Sequence, residues 1–257
     1  MKKIVWITGA SSGIGREFAR YYAKHGCFLI LTARRTDRLE ALAAELKQKY
    51  GTLCHIRPAD LADEADCARL LKEMDGEWVD VFINNAGFGV CGSYLETDPA
   101  REEEMVKVNV CAMQRLFRYA VRKMDRQGRG TILNVASSAG LLPGGPYMAG
   151  YYASKAYVAS LTRGVAEELR EMHSPVQVCA LCPGPVDTEF NDRAGVIFAL
   201  KGITSEFCVQ EAILGMKRHK TIIVPSVFMR ACTTAQKLVP TPLLMPIVAR
   251  QQKKKLG

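Results

Sequence analysis

Short apolar runs rich in β-branched and aromatic residues alternate with helical patterns along most of this chain, and that alternation restricts the fold more than any single residue does. The runs fall at Ile4–Thr8, Phe28–Ala33, Thr52–Arg57, Val79–Asn84, Thr131–Ala136, Val176–Cys182 and Thr221–Val224. Helical patterns lie between them, at about 13–25, 36–49, 63–74, 99–127, 151–173 and 205–217, with Gly, Pro or Asn at most joins. Strands separated by helices pair in parallel, and the helices then cover both faces of the sheet. The expected fold is therefore α/β: a doubly wound, Rossmann-type sheet of seven parallel strands. A chain of 257 residues with 48% hydrophobic content can bury the core of one such domain, expected over residues 1–225.

Residues 226–257 form an extension that the sheet does not need. Leu238–Val248 is apolar but broken by Pro240, Pro242 and Pro246, and Arg250 and Lys253–Lys255 follow it. Such a segment cannot span a bilayer. It can pack across a substrate cleft on the same domain, meet a second subunit, or touch an anionic membrane surface.

Other features narrow the function by exclusion. The N-terminal apolar run stops at Thr8-Gly9, too early for a signal peptide, and no run is long enough for a spanning helix, so a cytoplasmic protein is expected. Nine cysteines, an odd number, fit a reducing compartment, and Cys179 and Cys182 read as thiols of a buried strand. His25, His55, His173 and His219 are dispersed, and no metal site is expected. The net charge of +9 lies partly in a run from Arg115 to Arg129 that reads as a solvated helix face. No RNA-binding signature accompanies it, so nucleic acid is not an expected partner.

The chemistry begins at Thr8-Gly9-Ala10-Ser11-Ser12-Gly13-Ile14-Gly15, between the first strand and the first helix. Glycine at 9 permits a tight turn, and Gly13 and Gly15 let backbone approach a pyrophosphate resting on the helix N-terminus. The second strand ends in Arg34-Arg35, where an NAD-preferring site would carry an acidic residue. Two guanidinium groups suit the 2′-phosphate of NADP; otherwise they form a solvated pair opening the next helix. Tyr151 and Lys155 lie one turn apart on a helix, so the lysine is expected to favour the tyrosinate and make Tyr151 an acid/base. Tyr152 points about 100° away.

Together these segments resemble the short-chain dehydrogenase/reductase family in its single-domain form, over roughly residues 3–190. The resemblance rests on the glycine loop, Asn84-Asn85-Ala86-Gly87, Val108-Asn109-Val110, Asn134-Val135-Ala136-Ser137-Ser138-Ala139-Gly140, Tyr151-Tyr152-Ala153-Ser154-Lys155 and Pro183-Gly184-Pro185-Val186-Asp187-Thr188. It implies that Ser138, Tyr151, Lys155 and Asn109 are catalytic. Ser137 is the other serine at hand, but the family's usual thirteen-residue separation from the tyrosine selects Ser138. It further implies dinucleotide contacts from Gly9, Ser11, Ser12, Gly13, Ile14 and Gly15 of the loop. Asp60 and Leu61 would meet the adenine, and Asn85, Ala86 and Gly87 the central region. Pro183, Gly184, Val186 and Thr188 would contact the nicotinamide and phosphates.

The expected activity is NADP(H)-dependent hydride transfer between nicotinamide and a carbonyl or secondary alcohol. Tyr151 would donate the proton, Ser138 would hold the same oxygen, and Lys155 would lower the tyrosine pKa and bind the ribose. Asn109 would support a water leading to solvent. Phe190–Ile203, with Val196, Ile197, Phe198 and Leu200, reads as a lid, and Leu141, Leu142, Tyr147 and Met148 as the facing wall of an apolar pocket. A hydrophobic ketone is the expected substrate. The resemblance implies a homodimer or homotetramer through the helices near 99–127 and 151–173. A catalytically silent nucleotide-binding protein and a reductase whose basic tail also binds membrane are the alternatives.

Overall fold

The computed structural model describes residues 2–190 and 202–253. Seven parallel strands form one sheet in the order β3-β2-β1-β4-β5-β6-β7: β1 Ile4–Thr8, β2 Phe28–Thr32, β3 Cys54–Ile56, β4 Val81–Asn84, β5 Gly130–Val135, β6 Val176–Leu181 and β7 Ile222–Ile223. Each expected run contributes a strand, the first unchanged and the others trimmed or shifted by one or two residues at their ends. Strand β1 lies between β2 and β4, pairing Ile4 to Thr8 with Phe28 to Thr32 on one side and Val5 to Ile7 with Val81 to Ile83 on the other. The chain therefore winds outward in both directions from β1. Loops leaving β1 and β4 part at their carboxyl ends, where an open parallel sheet offers a crevice.

The period of two along each strand divides the core. Val5, Ile7, Leu29, Leu31, Ile83 and Leu133 face the helices α1 (Gly13–Lys24) and α2 (Thr36–Tyr50), with α7 (Ser205–Lys217) beside them. Trp6, Ile30, Phe82, Ile132 and Val178 point the other way, toward α3 (Glu64–Met74), α5 (Met113–Arg126) and α6 (Ala149–Glu171). Trp6 stacks on Phe82 with ring centroids 4.2 Å apart, and its indole N–H donates to Thr32 at 3.0 Å, so its polar edge is satisfied within the core. Burying each such large side chain contributes about 1.5–3 kcal/mol.

Local signals explain the helix limits. Asp63 accepts from the backbone N–H groups of Ala65 and Asp66 at 2.7 and 3.0 Å to start α3, and Asp98 caps α4 (Pro99–Val106) with proline in its first turn. Gly51 ends α2 at φ +63.

The 99–127 pattern departs from a single helix. Between α4 and α5 the segment Lys107–Ala112 is a π-helix carrying Asn109. A local change of winding leaves the apolar stripe continuous, so periodicity does not reveal it. Within the basic run, Lys123 is not solvated: it is buried and donates to the Asp75 carbonyl at 2.9 Å.

Beyond β7, α8 (Val227–Ala235) and α9 (Thr241–Lys253) follow, with Pro246 inside the latter. Both pack over the carboxyl ends of the strands. No described helix is long and apolar enough to cross a membrane.

Candidate active site

One cavity of about 920 Å³ opens at the crevice beside β1 and β4. Gly9 turns the chain there with φ +65, and a Cβ on it would stand 2.7 Å from the Asn85 amide nitrogen. The hydroxyl of Thr8 accepts from the N–H groups of Asn85 and Ala86 at 2.9 and 3.1 Å, and Asn85 donates back to the Thr8 carbonyl at 2.9 Å. These bonds tie the loops after β1 and β4 into one cradle. Ser12, Gly13 and Ile14 form its wall at the start of α1, where Ser12 makes no side-chain cap, so the first-turn N–H groups suit an anion. Gly15 stands behind that wall: a Cβ on it would collide with the Gly9 carbonyl, so it seats the helix against the turn.

Ser11, Arg34, Arg35, Asp60, Leu61, Ala86 and Gly87 also line the cavity, as do Pro183, Gly184, Val186 and Thr188 on the opposite lip. The two arginines are held differently. Arg34 is paired with Glu104 at 2.8 Å and lies 3.9 Å from Asp60, whereas Arg35 donates to Ser11 at 3.2 Å and lies 3.6 Å from Glu189. Only Arg35 thus reaches back to the glycine loop.

Tyr151 and Lys155 project from α6 as the one-turn spacing requires, and both are buried. The serine whose side chain acts on the Tyr151 hydroxyl is Ser137, which lowers its proton affinity. Ser138, the serine expected from the resemblance, is buried and also lines the cavity; its backbone N–H donates to the Pro183 carbonyl at 2.7 Å, and it begins the short 3-10 turn Ser138–Leu141. Counting thirteen residues back from the tyrosine assumes a loop of fixed length between β5 and α6. Ser137 continues the extended backbone at φ −169 before the turn begins.

The lysine also behaves differently from the expectation. Its ammonium donates to the Val135 carbonyl at 2.9 Å and lies 5.9 Å from the centroid of the Tyr151 ring. Burial pushes the Tyr151 hydroxyl up to about 12, opposed in part by the Ser137 side chain, and burial brings Lys155 down to about 8. Desolvation outweighs the helical neighbour, whose ammonium is engaged by the carbonyl at the end of β5. Tyr151 consequently keeps its proton at neutral pH.

Asn109 is fully engaged. It accepts from Phe88 N–H at 3.0 Å and donates to the Phe88 carbonyl at 2.8 Å and to Ser154 at 3.1 Å. Its side chain positions the loop after β4. Gly87 is required beside it, since a Cβ there would lie 2.8 Å from the Asn109 oxygen and 3.2 Å from the Lys155 ammonium.

The substrate end of the cavity is apolar. Leu142 and Met148 line it as expected, and Phe190 stands 5.5 Å from the Tyr151 ring. Leu141 packs into the core instead, and Tyr147 lies under Lys253. Val196, Ile197, Phe198 and Leu200 of the anticipated lid fall outside the described residues. The roof is supplied by the C-terminal helices, through Phe228, Met229, Val239, Leu244, Ile247 and Val248. Gln252 donates to the Tyr152 hydroxyl and Gln236 to the Leu141 carbonyl, fastening α9 and the end of α8 to the body. Cys179 and Cys182 are core thiols, both pushed up to about 12 by burial, and no group of potential metal ligands occurs among the described residues.

A family model for short chain dehydrogenase matches residues 3–195. The D-beta-hydroxybutyrate dehydrogenase of Rhizobium meliloti is 31% identical over 237 residues, 88% of this chain and 89% of its own. A short-chain dehydrogenase from Sphingobium yanoikuyae in complex with NADPH is similar in structure, with a TM-score of 0.84 at 31% identity, covering 94% of this chain and 95% of that one. A short chain dehydrogenase/reductase from Burkholderia phymatum in complex with NAD gives 0.81 at 26% identity, covering 91% and 92%. The chain belongs to the short-chain dehydrogenase/reductase family. It is an oxidoreductase with the doubly wound sheet of that family, as its motifs lead one to expect.

Proposed function

We propose that this chain is an NADP(H)-dependent reductase of a hydrophobic ketone, acting in the cytoplasm as a homodimer or homotetramer. The observation that carries the reading is the pairing of half-buried Ser137 with buried Tyr151 between an apolar chamber and a dinucleotide cradle. The cradle fits the cofactor, because Ser12, Gly13 and Ile14 wall it at the start of α1, whose N-terminus has no side-chain cap.

Ser12, Gly13 and Ile14 would hold the pyrophosphate, Asp60 and Leu61 the adenine, and Arg35, assisted by Arg34, a 2′-phosphate. Asn85, Ala86 and Gly87 would support the central region. Tyr151 and Lys155 would hold the nicotinamide ribose, with Pro183, Gly184, Val186 and Thr188 around the ring. When bound, NADPH supplies the hydride that reaches the carbonyl carbon.

The protein's own part is to manage the oxygen. Negative charge grows on that oxygen during reduction, and Tyr151, protonated at neutral pH, is placed to donate to it. Ser137 contributes a second hydrogen bond at the same place. Lys155 keeps a positive charge beneath the site, and Asn109 keeps the Phe88 loop from closing on it. Leu142, Phe190 and the C-terminal helices exclude water and favour an apolar substrate.

The test is a screen of ketones of rising apolar size, and of the matching alcohols, with both coenzymes. NADPH-dependent reduction that increases with apolar size and disappears in Tyr151→Phe is expected. Undiminished turnover by that variant, or no turnover of any carbonyl with either coenzyme, would sink the reading.

A further inference from the structure

Nine of the 35 lysines and arginines lie in residues 212–257, which contain no Asp or Glu, leaving 26 basic residues to balance the 26 acidic ones in residues 1–211. Six of those nine, Arg230, Lys237, Arg250 and Lys253–Lys255, fall in residues 226–257, which hold no Asp or Glu. That segment also exposes large apolar side chains. Val227 is 73% exposed, Leu238 86% and Leu243 64%.

These features belong to one arrangement. Along α9, Leu244, Val248 and Gln252 follow one another at four-residue spacing and turn toward the body, where Val248 and Gln252 are buried. Leu243, Ile247 and Arg250 form a second stripe at helical spacing, and all three are exposed. A helix apolar on both sides is normally covered on both sides. Here one side covers the cavity and the other meets solvent, flanked by Lys237, Arg250 and Lys253. Phe228, Val239 and Ile247 both line the cavity and are exposed, at 62, 38 and 60%, so the mouth of the chamber opens on this same surface.

We infer that the α8–α9 surface docks on an anionic lipid bilayer and presents the mouth of the active site to it. A bilayer with acidic headgroups satisfies both halves of the surface: apolar side chains enter the headgroup boundary while the basic ones meet negative charge. A second copy of this chain would bring two strongly positive segments together. A nucleic acid would meet the charge and leave the aliphatic stripe in water. Docking stands independently of the carbonyl reading; the passage of an apolar substrate from bilayer to chamber rests on it.

Flotation of the full-length protein with phosphatidylserine/phosphatidylcholine vesicles, against pure phosphatidylcholine, tests the docking. Binding to the anionic vesicles, weakened by salt, is expected. Leu238→Ser/Leu243→Ser, and separately Lys237→Glu/Arg250→Glu, should each lower the partition coefficient about tenfold or more. None of these four side chains lines the cavity, so turnover of a water-soluble ketone should persist in both variants and serve as the check that they fold. The inference is overturned by equal affinity for both vesicle types, by wild-type binding in the variants, or by retention on DNA or RNA without vesicle binding. A dimer that dissociates in Leu238→Ser/Leu243→Ser, with no vesicle binding by either protein, overturns it equally. Loss of vesicle binding with ketone turnover intact separates this idea from the catalytic one.

Discussion

The Ser137 side chain lowers the proton affinity that burial gives the Tyr151 hydroxyl, although fourteen residues separate the two in the chain. One stands on the last extended residue after β5 and the other in the first turn of α6, so their meeting depends on how those elements pack. Exchanging the two adjacent serines tests the assignment. Ser137→Ala should lower kcat for ketone reduction about 10²–10³-fold. Ser138→Ala should leave it within about a factor of three, since Ser138 contributes its backbone N–H to Pro183.

Tyr151→Phe removes the proton donor and keeps the ring packed against Phe190. A fall in kcat of about 10²–10⁴-fold is expected, with NADPH affinity measured by fluorescence titration changing only a few-fold. A parallel loss of affinity would mean that the hydroxyl serves the cofactor more than the reacting oxygen.

Lys155 links the site to stability. Its folded-state pKa, about 8, lies below the ordinary 10.5, so between those values the unfolded chain binds a proton that the folded chain does not. Folding is then penalised by this group below pH 8, and the penalty is lifted as pH rises to 10.5. Lys155→Met should melt above the wild type at pH 7, and the difference should shrink through that window in calorimetric scans taken across it.

Coenzyme choice should depend unequally on the two arginines. Both are ion-paired, Arg34 with Glu104 and Arg35 with Glu189, but Arg35 also bonds the glycine loop itself. Arg35→Ala is expected to lower kcat/KM for NADPH about 100-fold with little change for NADH, and Arg34→Ala to do less, given the worth of charge-assisted bonds. Equal effects of the two substitutions on the NADPH/NADH ratio would refute the distinction.

Thr162 provides a test of packing. Its hydroxyl accepts from Asn134 at 2.9 Å and donates to the Val158 carbonyl at 2.7 Å, and Asn134 in turn accepts from Asn84 at 3.1 Å. Thr162→Val leaves a buried amide N–H unpaired, which costs about 1–3 kcal/mol in denaturant unfolding.

The sheet was legible because strand alternation depends on neighbours along the chain, as Val5, Trp6 and Ile7 show by facing opposite cores. Where a side chain's partner is remote, the residues alone were silent. Glu104 lies 70 positions from Arg34. The choice between the serines depended on loop length, and the role of Asn109 on a π-helix that leaves no mark on hydrophobic spacing. The tail was ambiguous for a different reason: Leu238–Val248 is apolar on two sides, and only packing distinguishes the side that roofs the chamber.

The Asn84–Asn134–Thr162 chain of hydrogen bonds has a mechanical meaning. Thr162 sits about three turns, or ~16 Å, beyond Tyr151 on nearly the same face of α6. A slip of one residue would rotate every side chain on the helix by about 100° and carry the phenol out of the chamber. Apolar contacts tolerate such sliding, but three interlocked polar groups accept a single phase. They act as an index pin, clocking the helix against the sheet so that its catalytic end is aimed from deep within the molecule.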